Sequence, residues 1–304
     1  MDLSIIIVNW NVCDLLRRCL TSIQTNQGDL LLEVIVVDNA SIDDSVVMVR
    51  REFPGIRLIA SQENLGYTGG NNRGAYEATG RYLLIFNPDT EIVGQALQRM
   101  VAYLDEQPQV GVVGPQLLYP DGSIQSSRRR FPQLTTAFFS GTPLTWRFFP
   151  NNKFAREHTM TNTSDQETQP VDWLVGAALM IRREAWQEVG LFDEGYFMYF
   201  EEVDWCYRCR QAGWEIHYLP VAQIIHDEHK AANKVPITKQ VRLNRSRIRY
   251  FRKHFGVEWA LLIRIFLLAS YIGILIEEVA RWFIDRHETR PSKIKAYWQI
   301  LKSI

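Results

Sequence analysis

Short apolar runs recur through the first 115 residues, separated by stretches with helical periodicity. Each run has four to six residues and is too uniformly apolar to have a solvent-exposed face. Such runs are typical of strands buried on both faces of a largely parallel sheet. They comprise residues 3–8, 34–37, 56–60, 82–86 and 110–113. Their alternation with helices predicts an α/β fold with a doubly wound sheet.

The segment between the first two strands shows the helical pattern most clearly. Apolar residues occupy positions 12, 15, 16, 19, 20 and 23. This spacing places them on one face of a helix, which can pack against the sheet. Similar patterns follow Asp43, Gly69 and Gly94, so helices are predicted after each early strand.

The alternation is lost between residues 116 and 170. A hairpin is predicted at 120–122, and the polar tract 151–169 is expected to be a mobile excursion. Regular structure should return afterwards as 171–181, a helix from about Arg183, a helix from about Glu201 to Ala212 and a strand at 214–219. We therefore expect a catalytic domain of residues 1–236 and a helical region of residues 237–304.

Residues 260–276 are almost wholly apolar, with Arg264 as the exception. The uninterrupted part, 265–276, has 12 residues, whereas a helix needs roughly 20 to span a bilayer. Residues that anchor helices at membrane interfaces flank or punctuate the segment, namely Trp259, Arg264, Arg281, Trp282 and Arg286. We expect a helix on the membrane surface rather than a span. The alternative is a core helix or a dimer interface, which leaves a homodimer open.

Composition narrows the class of protein. The 34 Lys and Arg residues balance 34 Asp and Glu residues, so no overall basic field favours nucleic acid as a partner. The 46% apolar content is ample for a core. The four cysteines fit no zinc pattern with histidines and are expected to be reduced. No basic flank or cleavage site accompanies the first apolar run, which favours the cytoplasm.

Polar residues collect where the predicted strands end. Asn9 follows the first strand, Asp38 follows the second, and Asp89 follows the strand at 82–86. Ligands of open parallel sheets bind outside these carboxyl ends. Asp38 suits a nucleotide base or a helix cap, and Asp89 suits a divalent cation or a structural turn. The missing G-x-G-x-x-G motif argues against a dinucleotide oxidoreductase.

A second acidic cluster, Glu201, Glu202 and Asp204, starts a predicted helix. The helix dipole favours acids there, which is a structural explanation. Aromatic residues crowd the same stretch, and a partly dry pocket can raise a carboxyl pKa towards that of a general base. His226 suits either a metal ligand or a packed histidine.

Six motifs follow one another in residues 3–226: Ile-Val-Asn-Trp-Asn at 7–11, Val-Val-Asp-Asn-Ala-Ser at 36–41, Asn-Leu-Gly-Tyr at 64–67, Gly-Gly-Asn-Asn-Arg-Gly at 69–74, Asn-Pro-Asp-Thr at 87–90 and Phe-Glu-Glu-Val-Asp-Trp-Cys at 200–206. Together they resemble family 2 glycosyltransferases, most of all the bacterial rhamnosyltransferase branch. The resemblance implies the GT-A fold, which is Rossmann-like, with a mostly parallel central sheet and helices on both faces. It also implies an inverting sugar transfer with Mg²⁺ or Mn²⁺ as the cofactor.

The resemblance also implies roles for individual residues. Asp38 would bind the base or ribose of a nucleotide-sugar donor. The other residues implied to line the donor site are Asn9, Asn64, Gly66, Asn72, Arg73 and Asn87. Asp89 would hold the metal, with Asn87 replacing the first Asp of the family's Asp-x-Asp site. His226 matches a metal-binding histidine, although the usual glycine-rich sequence does not follow it.

The catalytic base is implied at Glu202, where the family usually has Asp, with Asp204 as the second candidate. Trp173 and Gly176 match the acceptor-side segment, although Trp173 is equally suited to core packing. The basic run 128–130 suits either a pyrophosphate contact or a solvated loop.

The predicted function is sugar transfer to a lipid-linked or polysaccharide acceptor in cell-surface polysaccharide synthesis. Rhamnose from dTDP-rhamnose is the first donor to consider, by resemblance. The protein is expected to be peripheral or monotopic on the cytoplasmic face of the membrane. One alternative is a catalytically weak scaffold subunit of a polysaccharide-assembly complex. The other is a sugar-nucleotide nucleotidyltransferase, which needs a Gly-rich basic loop where residues 9–11 offer none.

Overall fold

The computed structural model describes residues 1–139, 142, 145, 148–149, 152–228, 236–287 and 289–304. The chain divides into two units. The first comprises Met1–Phe131, Thr163–Phe197 and Glu201–Ala231, and the second comprises Pro132–Asn162, Met198–Phe200 and Ala232–Ile304. Residue 151 of the predicted polar tract and residues 229–235, beside the predicted domain boundary, lie outside the described residues.

The strands are β1 (Leu3–Asn9), β2 (Leu32–Asp38), β3 (Arg57–Ala60), β4 (Tyr82–Phe86), β5 (Thr90–Val93), β6 (Val110–Leu118), β7 (Ile124–Gln125), β8 (Arg128–Arg129), β9 (Gln169–Pro170), β10 (Trp173–Leu174), β11 (Ala178–Arg182) and β12 (Glu215–His226). The helices are α1 (Cys13–Asn26), α2 (Ser45–Glu52), α3 (Gly66–Glu77), α4 (Ala96–Glu106), α5 (Leu134–Phe139), α6 (Lys153–His158), α7 (Arg183–Val189), α8 (Glu201–Gln211), α9 (Pro236–Phe255), α10 (Val257–Asp285) and α11 (Arg290–Ser303).

Ten of the described strands form one sheet, whose main path runs β3-β2-β1-β4-β11-β6-β12-β5. The half containing β3, β2, β1 and β4 is parallel, and β6 is parallel to β12. Strand β11 runs antiparallel between β4 and β6, and β5 pairs antiparallel with β12. The predicted Rossmann-like α/β sheet is therefore confirmed, with β11 inserted into it in the opposite direction.

Helices cover both faces of this sheet, as predicted. The odd-numbered apolar residues of β1 belong to one core with buried residues of α1, α2 and α4. On the opposite face, a Cβ at Gly74 would lie 2.4 Å from Ile6 and one at Gly70 would lie 2.7 Å from Val8. The absence of side chains at these two glycines lets α3 approach β1 closely. Each fully buried aliphatic side chain of β1 contributes about 1.5–3 kcal/mol.

The predicted hairpin at 120–122 joins β6 to β7. Gly122 has a φ of 82°, and the Asp121 carboxylate accepts a hydrogen bond from the Ser123 backbone N–H at 2.9 Å. The four cysteines are free, as expected.

The described residues of the second unit are mostly helical. Tyr250 and Phe251 of α9 are fully buried. Asn244 of α9 donates a hydrogen bond to the Tyr271 hydroxyl of α10 at 3.2 Å. Arg290 at the start of α11 donates to the Glu278 carboxylate of α10 at 2.9 Å, so polar contacts link the three long helices.

The apolar segment lies within α10, a single helix of 29 residues. Arg264, taken as an interruption, lies inside this helix and does not end it. Residues 257–284 are long and apolar enough to cross a membrane by length and composition alone, a test that core helices of soluble proteins also pass. The expectation that the segment is too short to span is therefore wrong.

Candidate active site

The carboxyl ends of β1 and β2 bring Asn9 and Asp38 into direct contact. Both residues are buried and paired in register. Nδ2 of Asn9 donates to Oδ1 of Asp38 at 2.8 Å. The other carboxylate oxygen accepts from the Ser41 backbone N–H at 2.9 Å, so Asp38 also caps its turn. Oδ1 of Asn9 is buried without a hydrogen-bond partner among the described residues, which makes it an acceptor available to a ligand N–H.

The loop before α3 lies against this edge. Oδ1 of Asn64 accepts from the Gly66 backbone N–H at 2.9 Å, and Nδ2 of Asn39 donates to the Gly66 carbonyl at 2.8 Å. Gly66 has a φ of 75°, and a Cβ there would lie 2.6 Å from the Phe197 carbonyl oxygen. Position 66 therefore requires glycine for its backbone conformation and for space.

Asn72 and Arg73 make contacts within the protein that their predicted roles did not anticipate. The buried Asn72 amide accepts from the Phe192 backbone N–H at 3.0 Å and donates to the Phe192 carbonyl and the Glu194 carboxylate, each at 3.0 Å. It therefore holds the loop after α7. Arg73 pairs with Glu77 at 3.2 Å on the exposed side of α3. Their donor contacts stay predictions.

Tyr67, which was not among the predicted site residues, links several groups that were. Its phenol oxygen lies 2.8 Å from Oδ1 of Asn87 and 2.8 Å from the Gly176 carbonyl oxygen. Desolvation, followed by the charges of Glu201 and Glu202, raises the pKa of Tyr67 well above its usual value. The phenol therefore stays protonated near neutral pH. Its place in the Asn-Leu-Gly-Tyr motif was the available sequence signal.

The acidic cluster contains three carboxylates in different surroundings. Glu202 lies beside Gly176, where a Cβ would be 3.6 Å from the Glu202 side chain. Burial, and then the charge of Glu202, raises the pKa of Glu201 well above its usual value. Asp204 is fully buried and accepts from Nε of Arg208 at 2.9 Å. Arg208 also donates to the backbone carbonyls of Val189, the last residue of α7, and of Leu191. The ion pair of Asp204 with Arg208 therefore fixes α8 to the end of α7.

Asp89 and His226 are brought together by the pairing of β5 with β12. Thr90 is paired with His226, and the Asp227 backbone N–H donates to the Asp89 carbonyl at 2.9 Å. Nε2 of His226 lies 3.5 Å from Oδ1 of Asp89. This carboxylate oxygen is buried and has no hydrogen-bond partner among the described residues. Nδ1 of His226 lies 2.7 Å from Oε1 of Gln125.

These contacts fit a divalent cation at Asp89 and His226. An amide oxygen only accepts hydrogen bonds, so in the neutral imidazole Nδ1 of His226 carries the proton and Nε2 presents a lone pair towards Asp89. Two acceptor atoms then face each other, which is favourable when a cation lies between them. No group of three or more His, Cys, Asp and Glu residues that could hold a metal occurs in the described part of the chain.

The basic run is only partly solvated, since Arg128 is buried whereas Arg130 is exposed. Arg128 is buried, forms an ion pair with Asp165 and donates to the Thr163 hydroxyl at 2.6 Å. Burial lowers the pKa of Arg129 to about 10, opposed by the nearby charge of Glu228 and more weakly by that of Glu202. The solvated-loop alternative is therefore wrong for Arg128, because its partners lie more than 30 residues away in sequence.

Trp173 lies beside this run. Strand β10 pairs Trp173 with Arg129, and the indole N–H donates to the Arg130 carbonyl at 2.9 Å. Its side chain is half-buried, so one part contributes to packing and another is accessible. The acceptor role of Trp173 and Gly176 stays a prediction.

Known proteins resemble this chain in sequence. The family model described as glycosyl transferase family 2 matches residues 4–205. An N-acetylglucosaminyl-diphospho-decaprenol L-rhamnosyltransferase of Mycobacterium tuberculosis is 31% identical over 211 residues, which cover 66% of this chain and 67% of the relative. The rhamnosyltransferase WbbL of Escherichia coli is 28% identical over 240 residues, covering 74% and 83% of the two chains.

Solved structures resemble it in fold. A mannosyltransferase from Pyrobaculum calidifontis in complex with GDP-Man and Mn²⁺ aligns with a TM-score of 0.56 at 16% identity, covering 99% of this chain and 85% of that one. GalNAc-T7 with UDP, GalNAc and Mn²⁺ aligns with a TM-score of 0.59 at 18% identity, covering 74% of this chain and 43% of that one. These likenesses concern the fold alone. With the family match, they identify the chain as a member of glycosyl transferase family 2 with the GT-A fold.

Proposed function

We propose that this protein is a metal-dependent, inverting glycosyltransferase that moves a sugar from a nucleotide-sugar donor to a lipid-linked acceptor. The observation that carries the proposal is the facing pair of Asp89 Oδ1 and His226 Nε2, 3.5 Å apart. In the neutral tautomer in which Nδ1 of His226 donates to Gln125, neither atom carries a proton, so the pair favours a cation. Metal dependence of this kind accords with a family whose substrates carry a diphosphate.

The donor would bind along the ends of β1 and β2. Oδ1 of Asn9 is the buried acceptor available to an N–H of the base, and Asp38 is fixed beside it by the hydrogen bond from Asn9. The turn at Asn64 and Gly66 bounds the same edge through Asn39. These residues bind and orient the nucleotide, because their positions are set before any ligand arrives.

The chemical step would use Glu202 as the general base. Glu202 takes the proton of an acceptor hydroxyl as that hydroxyl attacks the donor sugar from the face opposite the leaving group, and one displacement inverts the anomeric centre. Asp204 is less suited, since its carboxylate is already ion-paired with Arg208. Tyr67 fixes Asn87 and the Gly176 backbone around the site. A bound Mn²⁺ or Mg²⁺ would neutralise charge on the departing nucleoside diphosphate.

Between the two cations, Mn²⁺ suits this site better. Mg²⁺ strongly prefers oxygen ligands and keeps much of its water, whereas Mn²⁺, a divalent transition metal, accepts an imidazole nitrogen more readily than Mg²⁺ does. A site of one carboxylate and one imidazole is therefore expected to select Mn²⁺ at equal concentrations.

The names of the relatives favour rhamnose as the sugar and a polyprenyl-diphosphate-linked sugar as the acceptor. dTDP-rhamnose is accordingly the first donor to test. Arg129 supplies a half-buried cationic group near Glu202, which suits the diphosphate of such an acceptor.

Association with the cytoplasmic face of a membrane is part of the proposal. Exposed apolar residues of α10 recur at a spacing that keeps them on one side of the helix, namely Leu261, Ile265, Ile272 and Ile276. Trp259 and Trp282 near its ends are also exposed, as interfacial anchors are. A helix held at the surface brings the enzyme to the lipid phase in which its acceptor lies.

The first test is a thermal-shift screen of the purified chain with dTDP-, UDP- and GDP-sugars, with and without Mn²⁺. Binding to the folded state raises the melting temperature. We expect the largest rise with one nucleotide-sugar together with Mn²⁺, followed by turnover of that donor. Binding without hydrolysis or transfer would favour the scaffold, and pyrophosphate release from a nucleoside triphosphate would favour the nucleotidyltransferase.

A further inference from the structure

A chain of two hydrogen bonds extends from His226 to the protein surface. Nδ1 of His226 lies 2.7 Å from Oε1 of Gln125, and Nε2 of Gln125 donates to Oε2 of Glu228 at 3.0 Å. Gln125 is buried in β7, where it pairs with Leu117 of β6. The Gln125 amide is therefore held on both sides, by an imidazole and by a carboxylate.

The carboxylate determines the direction of this chain. An ionised Glu228 only accepts hydrogen bonds, so it selects the NH₂ group of Gln125. The amide oxygen of Gln125 must then point at His226, where it accepts a hydrogen bond from Nδ1–H. In the neutral ring the other nitrogen, Nε2, keeps its lone pair and faces Oδ1 of Asp89 at 3.5 Å.

We propose that Gln125, held by Glu228, is a positioning residue that fixes the tautomer of His226 so that Asp89 and His226 stay open to a divalent cation. This inference rests on the metal site of the proposed function. Nothing in the sequence motifs pointed to Gln125, because it lies outside all six of them.

The competing state explains why the tautomer matters. If the proton sat on Nε2 of His226, this N–H would donate to Oδ1 of Asp89, which otherwise has no hydrogen-bond partner among the described residues. That bond would occupy both ligand atoms at once. A cation would then have to displace a proton and break a buried hydrogen bond. By accepting a hydrogen bond from Nδ1–H, Gln125 makes the competing state unfavourable.

The matched control is Gln116, another buried glutamine of the same unit. Its Nε2 donates to the Asp165 carbonyl at 3.0 Å, and its Oε1 accepts from Gln223 at 2.9 Å. Gln116→Leu removes a buried, hydrogen-bonded amide just as Gln125→Leu does. Of these two glutamines, Gln125 is the one that hydrogen-bonds to His226, so the comparison separates loss of stability from loss of tautomer control.

The experiment measures two properties of the full chain at about pH 8, where an ordinary imidazole is neutral. Long-range ¹H–¹⁵N NMR reads the tautomer of His226 in metal-free protein, with His226→Gln used to assign the signal. Titration with Mn²⁺ alone, monitored by electron paramagnetic resonance, gives the dissociation constant of Mn²⁺. We expect Nδ1–H in the wild type, Nε2–H in Gln125→Leu, and weaker Mn²⁺ binding by roughly 10–100-fold in that variant.

Gln116→Leu should leave the tautomer and the Mn²⁺ affinity unchanged. Glu228 is partly exposed, so Glu228→Ala keeps the buried packing. It should shift the His226 tautomer and weaken Mn²⁺ binding in the same direction as Gln125→Leu does, but to a smaller extent. An Nε2–H tautomer in the wild type, or unchanged Mn²⁺ binding in Gln125→Leu while Asp89→Ala loses it, overturns the inference. A wild type that binds no Mn²⁺ overturns the metal site of the proposed function, and the NMR result still decides the tautomer.

Discussion

Nε2 of His226 and Oδ1 of Asp89 face each other at 3.5 Å, although the two residues are 137 positions apart in the sequence. The antiparallel ladder of β5 and β12 sets this distance, and the ion pairs of Arg18 with Glu91 and Asp227 hold the neighbouring residues of both strands. The contact is therefore built by backbone pairing and does not depend on a flexible loop. In the proposed tautomer of His226, the contact leaves two acceptor atoms facing each other without a proton between them.

Replacing Asp89 tests the metal ligand. Asp89→Ala should lower sugar transfer at least about 100-fold, because a lost ligand costs more than the 10–100-fold typical of its supporting groups. The fold should persist, since Asp89 lies after a strand end rather than in the apolar core. Transfer rates at saturating Mn²⁺ and the circular dichroism spectrum check both points. Unchanged turnover would remove Asp89 from the site.

Replacing Glu202 tests the base. Glu202→Gln keeps the size of the side chain but cannot take a proton, so transfer should fall by about 10²–10⁴-fold while donor affinity is retained. Calorimetry with the donor and a transfer assay give the two quantities. An active Glu202→Gln would exclude this assignment.

Asp204→Asn is the companion variant. It weakens the ion pair with Arg208, so it should lower the free energy of unfolding by about 1–3 kcal/mol and keep most of the transfer rate. Denaturant unfolding measures the free energy of unfolding, and the transfer assay measures the transfer rate. A stable but inactive Asp204→Asn would move the base to Asp204.

Glu201 should make stability depend on pH. Burial and then Glu202 raise its pKa in the folded state, so the folded chain holds this proton more tightly than the unfolded chain does. The stability linked to this proton is fully present below the ordinary carboxyl pKa of about 4.3 and is lost as the pH rises through the folded-state pKa. Glu201→Gln should therefore be more stable than the wild type above that pKa. The difference in stability between Glu201→Gln and the wild type should vanish in acid. Melting curves recorded at a series of pH values measure it.

The exposed face of α10 should control membrane binding. Replacing Leu261, Ile265 and Ile272 together by Ser should reduce flotation with anionic phosphatidylglycerol vesicles about tenfold or more, since each buried aliphatic group contributes about 1.5–3 kcal/mol. Ile42→Ser, which removes an exposed apolar residue of the first unit, is the control and should leave flotation unchanged. A folded wild-type chain that does not float would count against the membrane proposal.

The sequence predicted the parallel half of the sheet well because its strands are continuous apolar runs. The run at 82–86 coincides with β4, and the run at 3–8 differs from β1 by one residue. The position of β11 was not predictable in this way. Its apolar pattern identifies a buried strand but does not encode which neighbours it pairs with or in which direction.

The candidate site could be anticipated only in part: the apolar runs predicted that Asp38 and Asp89 lie at strand ends, where the structure has them. It was not predictable where the contact joins distant residues with no local signal. Gln125 is one polar residue in a hairpin, and its importance depends on His226, 101 residues later. Arg128 lies in a basic run that usually indicates solvent exposure, yet Thr163 and Asp165 surround it. Tertiary contacts of this kind override local composition.

A coupled transfer assay measures metal-dependent glycosyl transfer itself. Purified full-length protein would be incubated with dTDP-rhamnose, Mn²⁺ and vesicles containing N-acetylglucosaminyl-diphospho-polyprenol, and dTDP and glycosylated lipid would be measured together. We expect equimolar amounts of both products, which are lost on addition of EDTA, restored by excess Mn²⁺ and absent in Asp89→Ala. Transfer that proceeds undiminished in EDTA, or donor binding without transfer to any acceptor of this class, would contradict this expectation.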